Sequence, residues 1–138
     1  MPTFLNFTHS ENISLKKEQN SKLTTFLGSL SINRKNIILT KNKGYKAKNA
    51  WVVNTIEEAL KLTEGDSKPF IIGGGEIYRL FLSHADVIEL TRVHGTFEAD
   101  TFFPEIDYKN WELVEEEKYS SSVDQPYDYS FMKFRKIN

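Results

Sequence analysis

Cysteine is absent from this 138-residue chain, which excludes a disulfide framework, a thiol nucleophile and a thiolate metal site and fits a reducing cytoplasm. Histidine occurs only three times, as His9, His84 and His94. None of these pairs falls at metal-ligand spacing, so the three read as surface or structural residues and no metal is expected. Charge of one sign is also lacking, with a net charge of -1, which gives no support for a nucleic-acid or anionic-membrane surface. No apolar stretch approaches the ~18 residues of a membrane span, and the N-terminus lacks the basic-then-apolar order of a signal peptide. The expected location is the cytoplasm. Internal repeats, low-complexity tracts and a serine at a nucleophile elbow are missing as well.

What remains is the composition of an ordinary globular chain of single-domain size, 39% hydrophobic, 27% charged and 13% aromatic, long enough to bury a sizeable core. The stretch that organises it is Pro69 to Leu82, PFIIGGGEIYRLFL. Phe70, Ile71 and Ile72 read as a strand buried on both faces, and Ile77, Leu80 and Phe81 recur at helical spacing. Between them, Gly73, Gly74 and Gly75 form a strand-to-helix turn without side chains. Two readings stay open from the glycines alone: a turn whose amides accept an anion such as a phosphate, or a tight turn made for close packing. Glu76 and Ile77 follow where a P-loop has Gly-Lys-Ser/Thr, so kinase and P-loop hydrolase readings fall away.

In chain order, Pro2 to Phe7 is a possible short strand, and Leu23, Phe26, Leu27 and Leu30 mark one face of a short helix. Asn36 to Thr40 reads as a buried strand from its β-branched content. Lys41 to Asn49 is a basic loop with four lysines. Trp51 to Val53 is a second short strand, and a helix follows through Thr63, with Thr55 and Glu58 at capping-box spacing. Asp86 to Val93 reads as another strand, and Trp111 to Tyr119 with Tyr127 to Arg135 as an antiparallel hairpin on the sheet edge. The alternation predicts an α/β fold, a mostly parallel sheet flanked by helices with that hairpin at its C-terminal end. Ligands of such sheets gather beyond the carboxyl ends of the strands, where both Gly73–Gly75 and Thr40–Lys41 are expected to sit.

From about Asn33 to Lys136 the ordered motifs resemble the C-terminal two-thirds of a dihydrofolate reductase. The pieces are Arg34 to Thr40, Trp51-Val52-Val53 with Glu57, Glu58 and Ala59, Ile72 to Tyr78, Leu90-Thr91, Ala99 to Pro104, and Trp111-Glu112. The resemblance implies NADPH-dependent reduction of dihydrofolate to tetrahydrofolate, with dihydrofolate as the small-molecule partner. It implies that Gly73, Gly74 and Gly75 form the family's glycine turn, with a cis Gly-Gly bond, and that Glu76 and Ile77 meet the cofactor pyrophosphate. Thr40 and Lys41 match positions that hold the adenosine 2′-phosphate, and Thr25 is what survives of a phosphate-binding motif. Arg34 matches the arginine that grips the folate glutamate. Ile72 and Tyr78 match residues lining the pocket where nicotinamide meets pterin, Thr91 the threonine that bonds the pterin-binding acid, and Asp100 the support of an active-site lid.

The family's first strand, its Trp-containing lid loop and its acid-bearing helix have no recognisable counterpart in the sequence. Glu11 and Glu18 do not fit the acid's motif, so no catalytic residue is assigned. The expected organisation is therefore a non-matching segment, 1–20, ahead of a reductase-like domain, 21–138. Loss of a central first strand predicts exposed edges on the strands ending at Ile72 and beginning near Asp86, available for pairing with another chain. The alternative to an active reductase is a truncated, catalytically impaired remnant with residual NADP(H) binding. A pure interaction module using those edges is a third class.

Overall fold

The computed structural model describes the backbone of Phe4–His9 and residues 35–137. In chain order the described elements are β1 Phe4–His9, β2 Ile37–Leu39, β3 Trp51–Val53, α1 Ile56–Leu62, β4 Phe70–Ile71, α2 Gly75–Phe81, β5 Val87–Val93, β6 Trp111–Tyr119 and β7 Tyr129–Lys136. The chain divides into two compact units, Met1–Ser14 with Ser67–Asn138, and Leu15–Asp66. The expected helix around Leu23 to Leu30 lies outside the described residues.

In the larger unit five strands form one sheet in the order β4-β1-β5-β7-β6. β1 pairs in parallel with β4 on one side and with β5 on the other, and β5–β7 and β7–β6 are antiparallel. This overturns two expectations. The sheet is mixed and not mostly parallel, because the hairpin contributes two of its five strands. The central strand is also not missing: Phe4–His9 lies between β4 and β5, with Leu5 opposite both Ile71 and Ile88. The edges predicted to be exposed are therefore paired with each other's missing neighbour, and the backbone groups of β4 and β5 find partners within the chain. The possible strand at Pro2 to Phe7 is thus present as Phe4–His9, but FLNFTH matches no family motif, so its central place in the sheet was not legible from the sequence.

β4 is shorter and less buried than its apolar run predicts. It holds only Phe70 and Ile71, both half-buried, and Ile72 is 44% exposed. The run lies at one edge of the described five-stranded sheet, and none of its three residues is fully buried. At the centre of the unit, Ile88 and Phe134 face each other across β5 and β7 and are almost completely buried. Along β7 the alternation is that of a half-buried strand: Ser130 and Phe134 point inward, Phe131 and Arg135 outward. The buried Ser130 hydroxyl shares a 2.8 Å hydrogen bond with His94 Nε2, a structural role that satisfies an otherwise stranded polar group. Tyr119 stacks on Tyr129 at 5.1 Å where the hairpin opens into its turn.

In the smaller unit β2 and β3 form a two-stranded parallel sheet, with Ile37 opposite Trp51 and Leu39 opposite Val53. α1 begins as its sequence predicts: the Thr55 hydroxyl accepts from the Glu58 amide at 3.1 Å, and Glu58 Oε2 accepts from the Asn54 amide at 2.8 Å. Thr55 thus satisfies one free amide of the first turn, and Glu58 ties down the residue before the cap, Asn54. Lys35 Nζ donates to the Leu62 carbonyl at the other end, 2.9 Å away, where the helix dipole favours a cation.

Candidate functional site

The three glycines follow β4 directly and lead into α2, so the turn stands at the carboxyl end of a parallel strand. The Gly73-Gly74 peptide is cis. Each glycine meets a different constraint. Gly73 has φ +109, a conformation that L side chains rarely adopt, and a Cβ there would lie 3.1 Å from the Tyr78 ring. Gly75 would bring a Cβ to 3.0 Å from Thr101 Cγ2 and 3.4 Å from the Phe102 carbonyl. Gly74 has φ -78 and, among the described residues, nothing within 4 Å of its Cβ position. Two faces of the turn are therefore closed by the protein and one is open backbone. Sequence left two readings, close packing or ligand approach, and the three glycines divide them: Gly73 and Gly75 answer to packing, Gly74 to an open face.

Helix α2 starts without a side-chain cap, its cap residue being Gly74. Glu76 is exposed and Ile77 half-buried. Tyr78 is 6% exposed, its amide donating to the Gly74 carbonyl at 3.0 Å while its ring covers Gly73. Burial pushes the Tyr78 phenol above the usual tyrosine range, so it is neutral at any physiological pH. Phe103 packs against the ring at 5.1 Å between centroids. Thr101, Phe102 and Phe103 were legible only as a stretch of a family loop. Two adjacent phenylalanines in an otherwise polar loop were the available sign that it packs against something.

Thr91 is half-buried in β5, opposite Thr8 of β1 and Phe131 of β7. Asp100 is exposed in the loop before Thr101. In the smaller unit Thr40 and Lys41 stand at the carboxyl end of β2. The Thr40 amide donates to the Val53 carbonyl at 3.0 Å, the Thr40 hydroxyl accepts from the Asn42 amide at 3.2 Å, and Asn54 Nδ2 donates to the Thr40 carbonyl at 2.6 Å. Asn54 thus fixes this strand end, a role the sequence reading missed. Lys41 is exposed. Thr25, Arg34, Glu11 and Glu18 lie outside the described residues. Among the described residues no cluster of three or more His, Asp or Glu is arranged to hold a metal ion.

A glycine turn with one open backbone face, at the carboxyl end of a parallel strand and leading into a helix, defines the class of open-sheet α/β proteins that receive their ligand at strand ends. The family model for dihydrofolate reductase matches residues 23–136. The chain is 38% identical over 111 residues to a dihydrofolate reductase of Staphylococcus haemolyticus, covering 80% of this chain and 67% of that one. It is 36% identical over 106 residues to that of Bacillus subtilis, covering 77% and 63%. Among solved structures, dihydrofolate reductase from Enterococcus faecalis complexed with NADP(H) and RAB-propyl aligns with a TM-score of 0.75 and 26% identity, over 99% of this chain and 75% of that one. The chain belongs to the dihydrofolate reductase family. It spans about two thirds of the length of the curated relatives it matches.

Proposed function

We propose that this chain binds NADPH at the glycine turn and uses it to reduce dihydrofolate to tetrahydrofolate. The observation that carries the reading is β1, paired between β4 and β5. It supplies the central strand whose apparent loss predicted exposed sheet edges. The open face of Gly74 suits a phosphate group, because a ligand can approach the backbone there as it could not approach any residue with a side chain.

In this reading Gly73, Gly74 and Gly75 shape the turn, and Glu76 and Ile77 lie beside the cofactor pyrophosphate. Thr40 and Lys41 take the adenosine 2′-phosphate, helped by Thr25, with the lysine acting as a point charge against a dianion. Arg34 grips the glutamate carboxylate of the substrate in a bidentate pair. Ile72 and Tyr78 line the apolar pocket in which the two rings meet, and Thr91 orients the acid that holds the pterin. The cofactor, when bound, supplies the hydride. Tyr78, buried and neutral, contributes shape and exclusion of water, and none of the described carboxylates is assigned the proton-donor role. This reading keeps a segment, 1–20, without family motifs ahead of a reductase-like domain, 21–138, with Phe4–His9 of that segment contributing β1 to the sheet, and the cysteine-free composition supports a cytoplasmic location.

The test is the oxidation of NADPH by purified protein with dihydrofolate, followed by absorbance and repeated with an antifolate. Turnover that scales with protein and is abolished by the antifolate is expected. Folded protein that binds NADPH but shows no turnover would restore the impaired-remnant reading.

A further inference from the structure

The loop Thr96–Pro104 reaches the glycine turn at two separate points. Thr101 Cγ2 closes the side of Gly75. Phe103 packs its ring on that of Tyr78, and Tyr78 in turn holds the turn twice, by its ring over Gly73 and by its amide to the Gly74 carbonyl. We infer that Phe103 is a positioning residue for the cofactor: through Tyr78 it fixes the backbone of Gly73-Gly74, and so the face that receives the pyrophosphate.

The physical chain is short. The Tyr78 ring is the surface against which Gly73 adopts φ +109, and no Cβ stands between ring and backbone to fix their distance. Its position depends instead on what stands behind it. Phe103 meets the ring at an interplanar angle of 56°, a tilted geometry in the favourable range for aromatic pairs. Removing that partner takes away one of the contacts that hold the Tyr78 ring against Gly73 and loosens the wall that shapes the turn. Binding to a pre-shaped backbone is tighter than binding to one that must be ordered by the ligand. Thr101 brings the same loop close against the first residue of α2, where a Cβ on Gly75 would meet its Cγ2 at 3.0 Å.

The inference rests on the proposed NADPH site, and the experiment separates the two. Wild type, Phe103→Ala, Phe103→Leu and Phe103→Tyr are titrated with NADPH and with 2′-AMP, with binding read from intrinsic fluorescence and folding from thermal melts. 2′-AMP carries the adenosine 2′-phosphate but no pyrophosphate or nicotinamide, so the glycine turn does not contribute to its affinity. Phe103→Ala is expected to raise the NADPH Kd about three- to tenfold, the range a lost aromatic pair can supply, and to leave that of 2′-AMP unchanged. Phe103→Leu, which keeps most of the buried volume and guards against misfolding of the alanine variant, is expected to fall between alanine and wild type. Phe103→Tyr restores the ring and with it the wild-type NADPH affinity. An unchanged NADPH Kd in the alanine and leucine variants overturns the positioning role, as does an equal loss for both ligands, which is the mark of general destabilisation. Wild-type protein that binds 2′-AMP but not NADPH overturns the glycine-turn site itself.

Discussion

Replacing Gly73 with alanine isolates what the turn demands of the chain. At φ +109 any L residue is strained, and residues held in such regions cost about 1–3 kcal/mol. The added methyl lies 3.1 Å from the Tyr78 ring, so the ring must shift, and overpacking of this kind costs about 1–3 kcal/mol more. The sum, about 2–6 kcal/mol, is a large share of the ~5–15 kcal/mol that holds a typical domain together. In urea, with a slope of about 2 kcal/mol/M, the unfolding midpoint of Gly73→Ala should fall by about 1–3 M. Gly74→Ala is the matched control. Its φ of -78 suits any residue and its Cβ position is open, so its stability should match wild type or exceed it by about 0.4–1 kcal/mol through a less flexible unfolded chain. Its NADPH affinity should nonetheless drop tenfold or more, because the methyl occupies the face the pyrophosphate approaches. A Gly73→Ala midpoint within about 0.3 M of wild type would falsify the packing argument, and a Gly74→Ala variant with unaltered NADPH affinity would remove the open face from the site.

Thr55→Ala removes the hydroxyl that accepts from the Glu58 amide and should cost ~1 kcal/mol, read from urea unfolding; restoring the cap with Thr55→Ser should recover most of it. Phe134→Ala empties the best-buried aromatic site of the sheet and should cost ~3–5 kcal/mol, enough to lower the melting temperature sharply or prevent folding. Lys41→Ala should weaken NADPH binding while leaving NADH binding unchanged, since only the former carries a 2′-phosphate for the lysine to meet. The NADPH effect should also shrink as salt is added, because Lys41 is exposed.

Much of the fold was legible in local pattern. Helix α1 was marked by the Thr55 and Glu58 spacing, and the Thr55 cap bond is the one that spacing implies, while Glu58 reaches back one residue further, to the Asn54 amide. β5, β6 and β7 fell close to their expected bounds because each is a run of β-formers ended by turn residues. The glycine triplet was visible as a turn because no other residue type leaves backbone bare over three positions. Those are short-range properties, decided by residues within a few places of one another.

What the sequence by itself determined about this protein is its membership of a family and the identity of its backbone-exposing turn. Tertiary structure alone decided the rest. That Phe4–His9 takes the central place between β4 and β5 depends on hydrogen bonds to strands more than sixty residues away, and pairing partners leave no trace in local composition. That β4 is a short strand, half-buried and at one edge of the described sheet, was likewise set by its neighbours. The different duties of Gly73, Gly74 and Gly75 arise because Tyr78, Thr101 and Phe102 come to stand beside two of them and none of the described residues beside the third. Three identical residues in sequence are three different sites in space, because a glycine's role is set by what approaches it.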